Sequence, residues 1–317
     1  MINKKLKIVF AGTPEFAVPT LSALFSEGHQ IVLVLTQPDR KAGRGMHIKI
    51  SPIKQKAENF SIPIFQPDQL NNDAVFKKLL DLNADILVVA AYGLIIPSKI
   101  LEIFSKGAYN VHASLLPAWR GAAPIQRAIE AGDSKIGVTI MSVAPKLDTG
   151  DMIRKKSINL GKDTNTGEMT KYLSKLGAEL MVNVVNDIAI NKTLELTKQN
   201  EKKVTYANKI KKSEAKVIWK DVTSEQIMHK VNAFNPFPGV FCNFRGKVLK
   251  IWKVTNDGNT EVNKPGSLFV NTAKGSLFIA TVDGAIEVTE IQLEGKRRMT
   301  GREFITANKI INGELLL

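Results

Sequence analysis

The sequence predicts an α/β protein in two parts: a mostly parallel sheet covered by helices, then a small antiparallel β-barrel. Three observations carry that expectation. Over roughly the first two hundred of 317 residues, apolar strand-like runs alternate with segments of helical period, as in a parallel sheet with helices on both faces. From about Thr193 to Asn208, "TLELTKQNEKKVTYAN" loses that periodicity and turns polar. Beyond it come short apolar runs punctuated by Gly, Asn and Asp, the texture of a small barrel. The implied boundaries are 1–192 for the first domain, 193–208 for a linker and 209–317 for the second domain.

The elements follow in order. "KIVFAG" reads as a buried strand, and the helical pattern from Glu15 to Glu27 after it is closed by Gly28, a residue suited to a helix stop. Pro19 falls inside that pattern, marking either a start or a bend, because its ring cannot continue a helix interior. "IVLVLT" is the second strand. Ser51 and Pro52 open the next helix, the hydroxyl capping a free N–H and the proline lacking one where none is needed. "IPIFQ" is a short third strand, Asp73 to Leu82 a helix, and "DILVVAA" (85–91) and "AYNVHA" (108–113) are strands around a helix near 97–104. "IGVTIMSVA" (136–144) and "DMIRKKSIN" (151–159) form a last pair joined through "PKLDTG", before a long helix from Thr166 to Ile190. In the second part, a helical piece from Ser224 to Asn235 precedes the strands "VFCNF", "KVLKIWKV", "GSLFV", "GSLFIAT" and "AIEVTEIQL".

Composition excludes several classes. The apolar stretch near the start is short and broken by Glu15, so it reads as a strand and not as an export signal. "DILVVAAYGLIIP" is well under the roughly 20 residues of a spanning helix, and the expectation is a cytoplasmic protein, a monomer. The single Cys242 excludes an internal disulfide, and with no CxxC or histidine cluster no metal is expected. The net charge is +14, of which +7 falls on the much shorter stretch 201–317. Such an excess fits a polyanionic partner, most simply a nucleic acid, although solvated lysines alone produce the same number. The first strand is followed by "AGTPEF" and not by G-x-G-x-x-G, which argues against a nicotinamide oxidoreductase.

The chemistry concentrates in "YNVHASLLPAWRGAAPIQRAI" (Tyr109–Ile129). Asn110 and His112, two apart on a strand, share one face and lie at a strand's carboxyl end, where ligands collect in such sheets. An amide and an imidazole there can both donate to one developing oxyanion, as acyl or formyl transfer requires. "LDTGD" supplies Asp148 in the turn after a neighbouring strand, a carboxylate to set the histidine's tautomer or to take a proton from an attacking amine. A satisfied structural histidine and an ordinary Asp-Thr-Gly turn fit the same spacing. Ser114 lacks the G-x-S-x-G setting of a nucleophile; a corner cap or a cosubstrate contact fits it better.

"NVHASLLPAWRGAAPIQRAI" together with "LDTGD" resembles the folate-dependent formyltransferases. The similarity runs through "KIVFAGTPEFAV", "TQPDRKAGRG", "VVAAYGLIIP", "NAFNPFPGVF" and "GKRRMTGREF", and so covers nearly the whole chain. It implies a Rossmann-like catalytic domain, an OB-like barrel that binds tRNA, and 10-formyltetrahydrofolate as cosubstrate without a metal. The "RGAAPIQRAI" continuation and the basic second domain are similar to the members that formylate methionyl initiator tRNA. Members acting on a small amine, glycinamide ribonucleotide or a nucleotide-linked amino sugar, share the Asn-x-His-x-Ser-Leu-Leu-Pro core and are the alternative. By matching motifs, Asn110 and His112 would hold the oxyanion and Asp148 would assist. Ser114, Leu115, Leu116 and Pro117 would contact the folate, and Tyr92, Leu94 and Ile95 would wall its pterin pocket. In the loop "QPDRKAGRGMHIKI", Arg40, Lys41, Arg44 and Lys49 would meet the acceptor stem, with Arg44 matching the family's key arginine. Lys209, Lys296, Arg297 and Arg298 would bind tRNA phosphates.

Overall fold

A computed structural model describes residues 5–42, 47–256 and 264–317. Strand β1 (Lys7–Gly12) is buried from Ile8 onward, and a 3-10 turn at Glu15–Ala17 leads into α1 (Val18–Ser26). The helical pattern read from Glu15 therefore starts as an α-helix only at Val18, with Pro19 in the first turn, where its missing N–H costs nothing. Gly28 at φ +85° ends it. After β2 (Gln30–Leu35) the long loop folds into an antiparallel ribbon, β3 (Arg40–Ala42) and β4 (His47–Lys49), with Arg40 opposite Lys49.

Helix α2 (Pro52–Asn59) is capped as the sequence predicts: the Ser51 hydroxyl accepts the Lys54 N–H at 3.0 Å. Then come β5 (Ile64–Phe65), only two residues long, α3 (Asp73–Asp81) from its Asn72 cap, and the fully buried β6 (Ile86–Ala90). The helix expected near 97–104 is a single turn, α4 (Ser98–Leu101). It is followed by β7 (Ala108–His112), β8 (Arg120–Gly121), α5 (Pro124–Glu130), β9 (Lys135–Ser142), β10 (Met152–Asn159), α6 (Thr166–Ala189) and β11 (Tyr206–Ala207). Helix α7 (Ser224–Ala233) starts from a reciprocal Thr223–Gln226 capping box. The remaining elements are β12 (Val240–Phe244), β13 (Lys247–Thr255), β14 (Leu268–Asn271), β15 (Ser276–Ala280), β16 (Ala285–Leu293), β17 (Met299–Thr300) and α8 (Gly301–Asn308). The last two are not expected from the sequence: β17 is only two residues long, and α8 carries just Phe304 and Ile305 as large apolar residues.

By contacts the chain forms two units. The first holds residues up to Gly121, Ile136–Ile158 and Thr170–Ala207; the second holds Ala122–Lys135, Asn159–Met169 and Asn208–Leu317. The first unit is built on a seven-stranded sheet in the order β10-β9-β7-β6-β1-β2-β5. Strands β7, β6, β1, β2 and β5 run parallel, while β9 runs antiparallel to β7. A buried apolar cluster drawn from β1, β2, β6, α3 and the turns after β6 fills one side of it. The carboxyl ends of β1, β6 and β7 thereby line up.

The second unit carries an antiparallel sheet in the order β12-β13-β16-β15-β14, with β17 added on β16. Residues 314–317 lie between its two outer strands. Leu317 and Asn243 exchange backbone hydrogen bonds at 3.0 and 2.6 Å, while Leu268 donates to Glu314 and Leu316 to Gly266 at 2.8 and 2.9 Å. That pairing closes the sheet into a barrel and leaves no open edge there.

Candidate active site

Asn110 and His112 lie on β7, which is hydrogen-bonded on both flanks; Val89 of β6 stands opposite Asn110 and Thr139 of β9 opposite His112. A strand held from both sides fixes their positions. His112 is 5% exposed, and its Nε2 lies 2.9 Å from the Trp119 carbonyl oxygen. A carbonyl can only accept, so Nε2 carries the hydrogen. Nδ1 is then the nitrogen that faces Asp148 Oδ2, at 3.6 Å. The neutral ring presents a lone pair there, and the protonated ring a second N–H.

Asp148 stands at φ +51°, a backbone conformation that aspartate tolerates better than most residues. Its Oδ2 accepts the Gly121 N–H at 2.9 Å, which leaves Oδ1 for a ligand. At Gly150, two residues on, a Cβ would come within 1.8 Å of the Ser142 carbonyl oxygen, so only glycine lets the turn close this tightly. The Asn110 amide is half-buried and has no partner among the described residues. An amide without a protein partner beside an imidazole and a carboxylate suits a polar group brought by a ligand.

The corner after β7 is tied down from within. The Ser114 hydroxyl donates to Ala118 O at 2.6 Å, the Thr139 hydroxyl donates to Ser114 O at 2.7 Å, and Leu116 N–H donates to Thr139 Oγ1 at 3.2 Å. Ser114 is therefore the corner cap. Leu116 is buried with Met141 and Met152 and shapes the corner from inside, while Leu115 and Pro117 are its half-buried surface. After β6, the Tyr92 side chain belongs to the buried core; burial pushes its phenol up to about 12, and its hydroxyl has no partner among the described residues. Its carbonyl collects the Thr13 hydroxyl at 2.9 Å and the Gln37 amide at 3.2 Å, joining the loops after β1, β2 and β6. Leu94 is half-buried, whereas Ile95 is 76% exposed and offers apolar surface.

On the β3–β4 ribbon, Arg40 and Lys49 face each other across the strands, both exposed. The ribbon's base is pinned by Asp39, which takes Lys54 Nζ at 2.5 Å and the Gln66 amide at 2.9 Å; those hydrogen bonds, Lys54 first, hold its carboxyl below the usual range. Lys41 lies in β3, and Arg44 lies outside the described residues. In the second unit Lys209 and Lys296 are exposed. Arg297 pairs with Glu303 at 2.7 Å, and Arg298 pairs with Glu290 at 3.3 Å and stacks 3.7 Å over the Trp252 ring. Among the described residues no group of three or more His, Cys, Asp or Glu could hold a metal ion, and no helix is long and apolar enough to cross a membrane.

Several contributors escaped sequence reasoning. Thr139, a polar residue in an otherwise apolar strand, was visible as an anomaly. Trp119 and Gly121 act through backbone atoms, which no side-chain pattern reveals.

Residues 4–185 match the formyl transferase family, and residues 209–309 match the formyl transferase C-terminal domain. The chain is similar to the methionyl-tRNA formyltransferase of Methylococcus capsulatus, 45% identical over 312 residues that cover 98% of this chain and 99% of the relative. It is 44% identical over 311 residues to the methionyl-tRNA formyltransferase of Coxiella burnetii, covering 98% of each. Among solved structures it resembles an N-formyltransferase from Helicobacter canadensis in complex with folinic acid and dTDP-3-aminofucose. That likeness has a TM-score of 0.66 at 20% identity, over 89% of this chain and 98% of the other, and it concerns the fold.

Proposed function

The chain belongs to the formyl transferase family, and from that premise we propose that it moves a formyl group from 10-formyltetrahydrofolate to the α-amino group of methionyl initiator tRNA. The observation that carries the proposal is the full-length identity of 44–45% to methionyl-tRNA formyltransferases, in a chain whose Asn110, His112 and Asp148 stand at one strand end. The acceptor amine attacks the formyl carbon, and the carbonyl electron pair moves onto oxygen. Asn110 and the Nδ1–H of protonated His112 donate to that oxyanion, in a site where preformed donors need no rearrangement. Asp148 takes the proton leaving the amine on Oδ1, its Oδ2 being held by Gly121. The oxyanion's electron pair then re-forms the carbonyl as the bond to the folate nitrogen breaks, and that nitrogen takes the proton held on Asp148, leaving the formamide complete.

The Ser114–Pro117 corner and the Tyr92–Ile95 segment hold the folate: Leu115, Pro117 and Ile95 by contact, the buried Ser114, Leu116 and Tyr92 by shaping the walls. Arg40, Lys41, Arg44 and Lys49 meet the acceptor stem, and Lys209, Lys296, Arg297 and Arg298 its phosphates. The enzyme works in the cytoplasm as a monomer. Transfer of labelled formyl to methionyl initiator tRNA, methionyl elongator tRNA and glycinamide ribonucleotide in parallel tests this, with Arg44→Ala beside the unaltered chain. Initiator tRNA alone is expected to be labelled, and weakly with Arg44→Ala. Labelling of the small amine instead would discard the tRNA substrate and keep the formyl chemistry.

A further inference from the structure

None of the polar residues between Thr193 and Asn208 takes part in the proposed reaction, yet the stretch from Thr197 onward is tied to both loops that frame the site. Thr197 and Met152 exchange backbone hydrogen bonds, each 2.9 Å. Thr205 accepts the Trp119 N–H on its hydroxyl and the Arg120 N–H on its carbonyl, again at 2.9 Å each. Strand β11 then pairs with β8, and a Cβ on Gly121 would lie 2.6 Å from the Ala207 carbonyl oxygen. Trp119 and Gly121 are the two residues whose backbone atoms hold His112 and Asp148.

Between these anchors stands Gln199. Its amide donates to two carbonyls, those of Asp148 and Gly150, both at 2.8 Å. Its own oxygen accepts from Arg120 Nε at 3.0 Å. Arg120 is 2% exposed, and its outer nitrogens grip Glu201 at 2.7 and 3.3 Å. Each piece has a physical reason. A buried guanidinium is tolerated only when its donors are taken, and here Gln199 and Glu201 take them. The left-handed turn at Asp148 costs on the order of 1 kcal/mol for a residue with a side chain, so surrounding contacts must hold it. One amide bridging the carbonyls on either side of Thr149 is such a contact.

The geometry points to Gln199 as a positioning residue for formyl transfer: gripped by Arg120, it fixes the backbone turn of Asp148 and, through it, the carboxylate beside His112. This rests on the functional reading above and adds to it a residue that touches no substrate. Asn110 and His112 owe their positions to the sheet. Asp148 lies in a turn and owes its position to the strap formed by residues 197–207.

The test compares the full-length chain with Gln199→Leu, Gln199→Glu, Asp148→Asn and the Gln199→Leu/Asp148→Asn double variant. The readouts are kcat, KM for both substrates, the pH–rate profile and thermal melting. Gln199→Glu keeps the length and the oxygen facing Arg120 but loses the amide donors. Both Gln199 variants are expected to lose about 10- to 100-fold in kcat, the cost of a modest misplacement in a reacting site. KM is expected to hold while the pH–rate profile moves. The melting temperature is expected to hold in Gln199→Glu, which keeps an acceptor for Arg120 Nε, and to fall in Gln199→Leu, which removes it. In the Asp148→Asn background, Gln199→Leu is expected to add less than about two-fold, because both changes act on one group.

Unchanged kcat and pH profile, a loss confined to KM, or the full loss repeated in the Asp148→Asn background would overturn the inference. So would melting temperatures lowered in both Gln199 variants in step with activity, the signature of a merely structural residue. An unaltered chain that fails to formylate methionyl-tRNA would instead overturn the functional reading itself.

Discussion

His112 is defined by its two nitrogens. Nε2 is committed to a backbone carbonyl at 2.9 Å, so only Nδ1 is left for the proposed transfer. Replacing His112 by Asn would keep one donor and lose the charge, and Asn110→Ala would lose a donor outright. Each is expected to cut kcat by about 10²- to 10³-fold, as removal of one oxyanion donor does elsewhere, with folate affinity read by fluorescence quenching changed little. A loss seen in affinity alone would refute the oxyanion role. Cys242 is a contrasting residue. It is buried in β12, where its thiol donates to the Leu249 carbonyl at 3.8 Å, and burial pushes its pKa up to about 12. A thiol so rarely ionised reacts slowly, so a chromogenic disulfide reagent is expected to label it only after unfolding. Rapid labelling of the native chain would contradict that burial.

Among the elements, short segments acquire a shape from their surroundings. Helix α2 is secured at its start by Ser51, whose hydroxyl also meets the Thr36 hydroxyl at 2.8 Å. Ser51→Ala is expected to cost about 1 kcal/mol of stability, measurable by urea denaturation. The turn from Asp148 to Gly150 is less forgiving. Gly150→Ala would drive a methyl into the Ser142 carbonyl, and the expected outcome is a large loss of activity in a chain that still folds. An active Gly150→Ala enzyme would show that the turn can relax without harm. The sequence marked Ser51 and Gly28 because caps and helix stops are local chemistry. It could not mark β11 or β17, two-residue strands that exist only because a partner strand is there to pair with.

At the scale of the molecule, charge, closure and buried titration decide behaviour. A net charge of +14 makes tRNA affinity fall steeply with salt, and replacing Lys296, Arg297 and Arg298 by Ala is expected to weaken binding and flatten that dependence. An unchanged salt slope would remove these residues from the interface. Deleting residues 314–317 would strip both outer strands of their pairing with this segment and remove the Arg245–Glu314 ion pair, so the second unit is expected to melt at lower temperature. His29 gives the first unit a pH dependence. Burial holds its pKa below 6.5, and its Nδ1 accepts the Leu6 N–H while Nε2 donates to Asn186. The unfolded chain therefore takes up a proton near 6.5 that the folded chain still refuses. Stability is complete above that pH and declines as pH falls below it, and His29→Asn is expected to flatten the decline.

Which part of this protein was legible without its fold follows from the range of each interaction. Apolar period, caps and turn residues act within a few positions, so the sequence by itself determined the α/β character of the first unit and the strand-rich second one. Asn110 and His112 were legible for the same reason, since two positions on one strand must share a face. The pairing of Asp148 with His112 depends on the path of the turn after β9, which only the fold sets. The contact units were not legible either: residues 122–135 and 159–169 group with the second unit, which linear composition cannot show. Nor was the strap, because Gln199 has no apolar period to reveal it and its partners lie 49 to 79 residues away in sequence. A hydrogen bond over that distance is specified by where the backbone has been carried, and only the tertiary structure decides that.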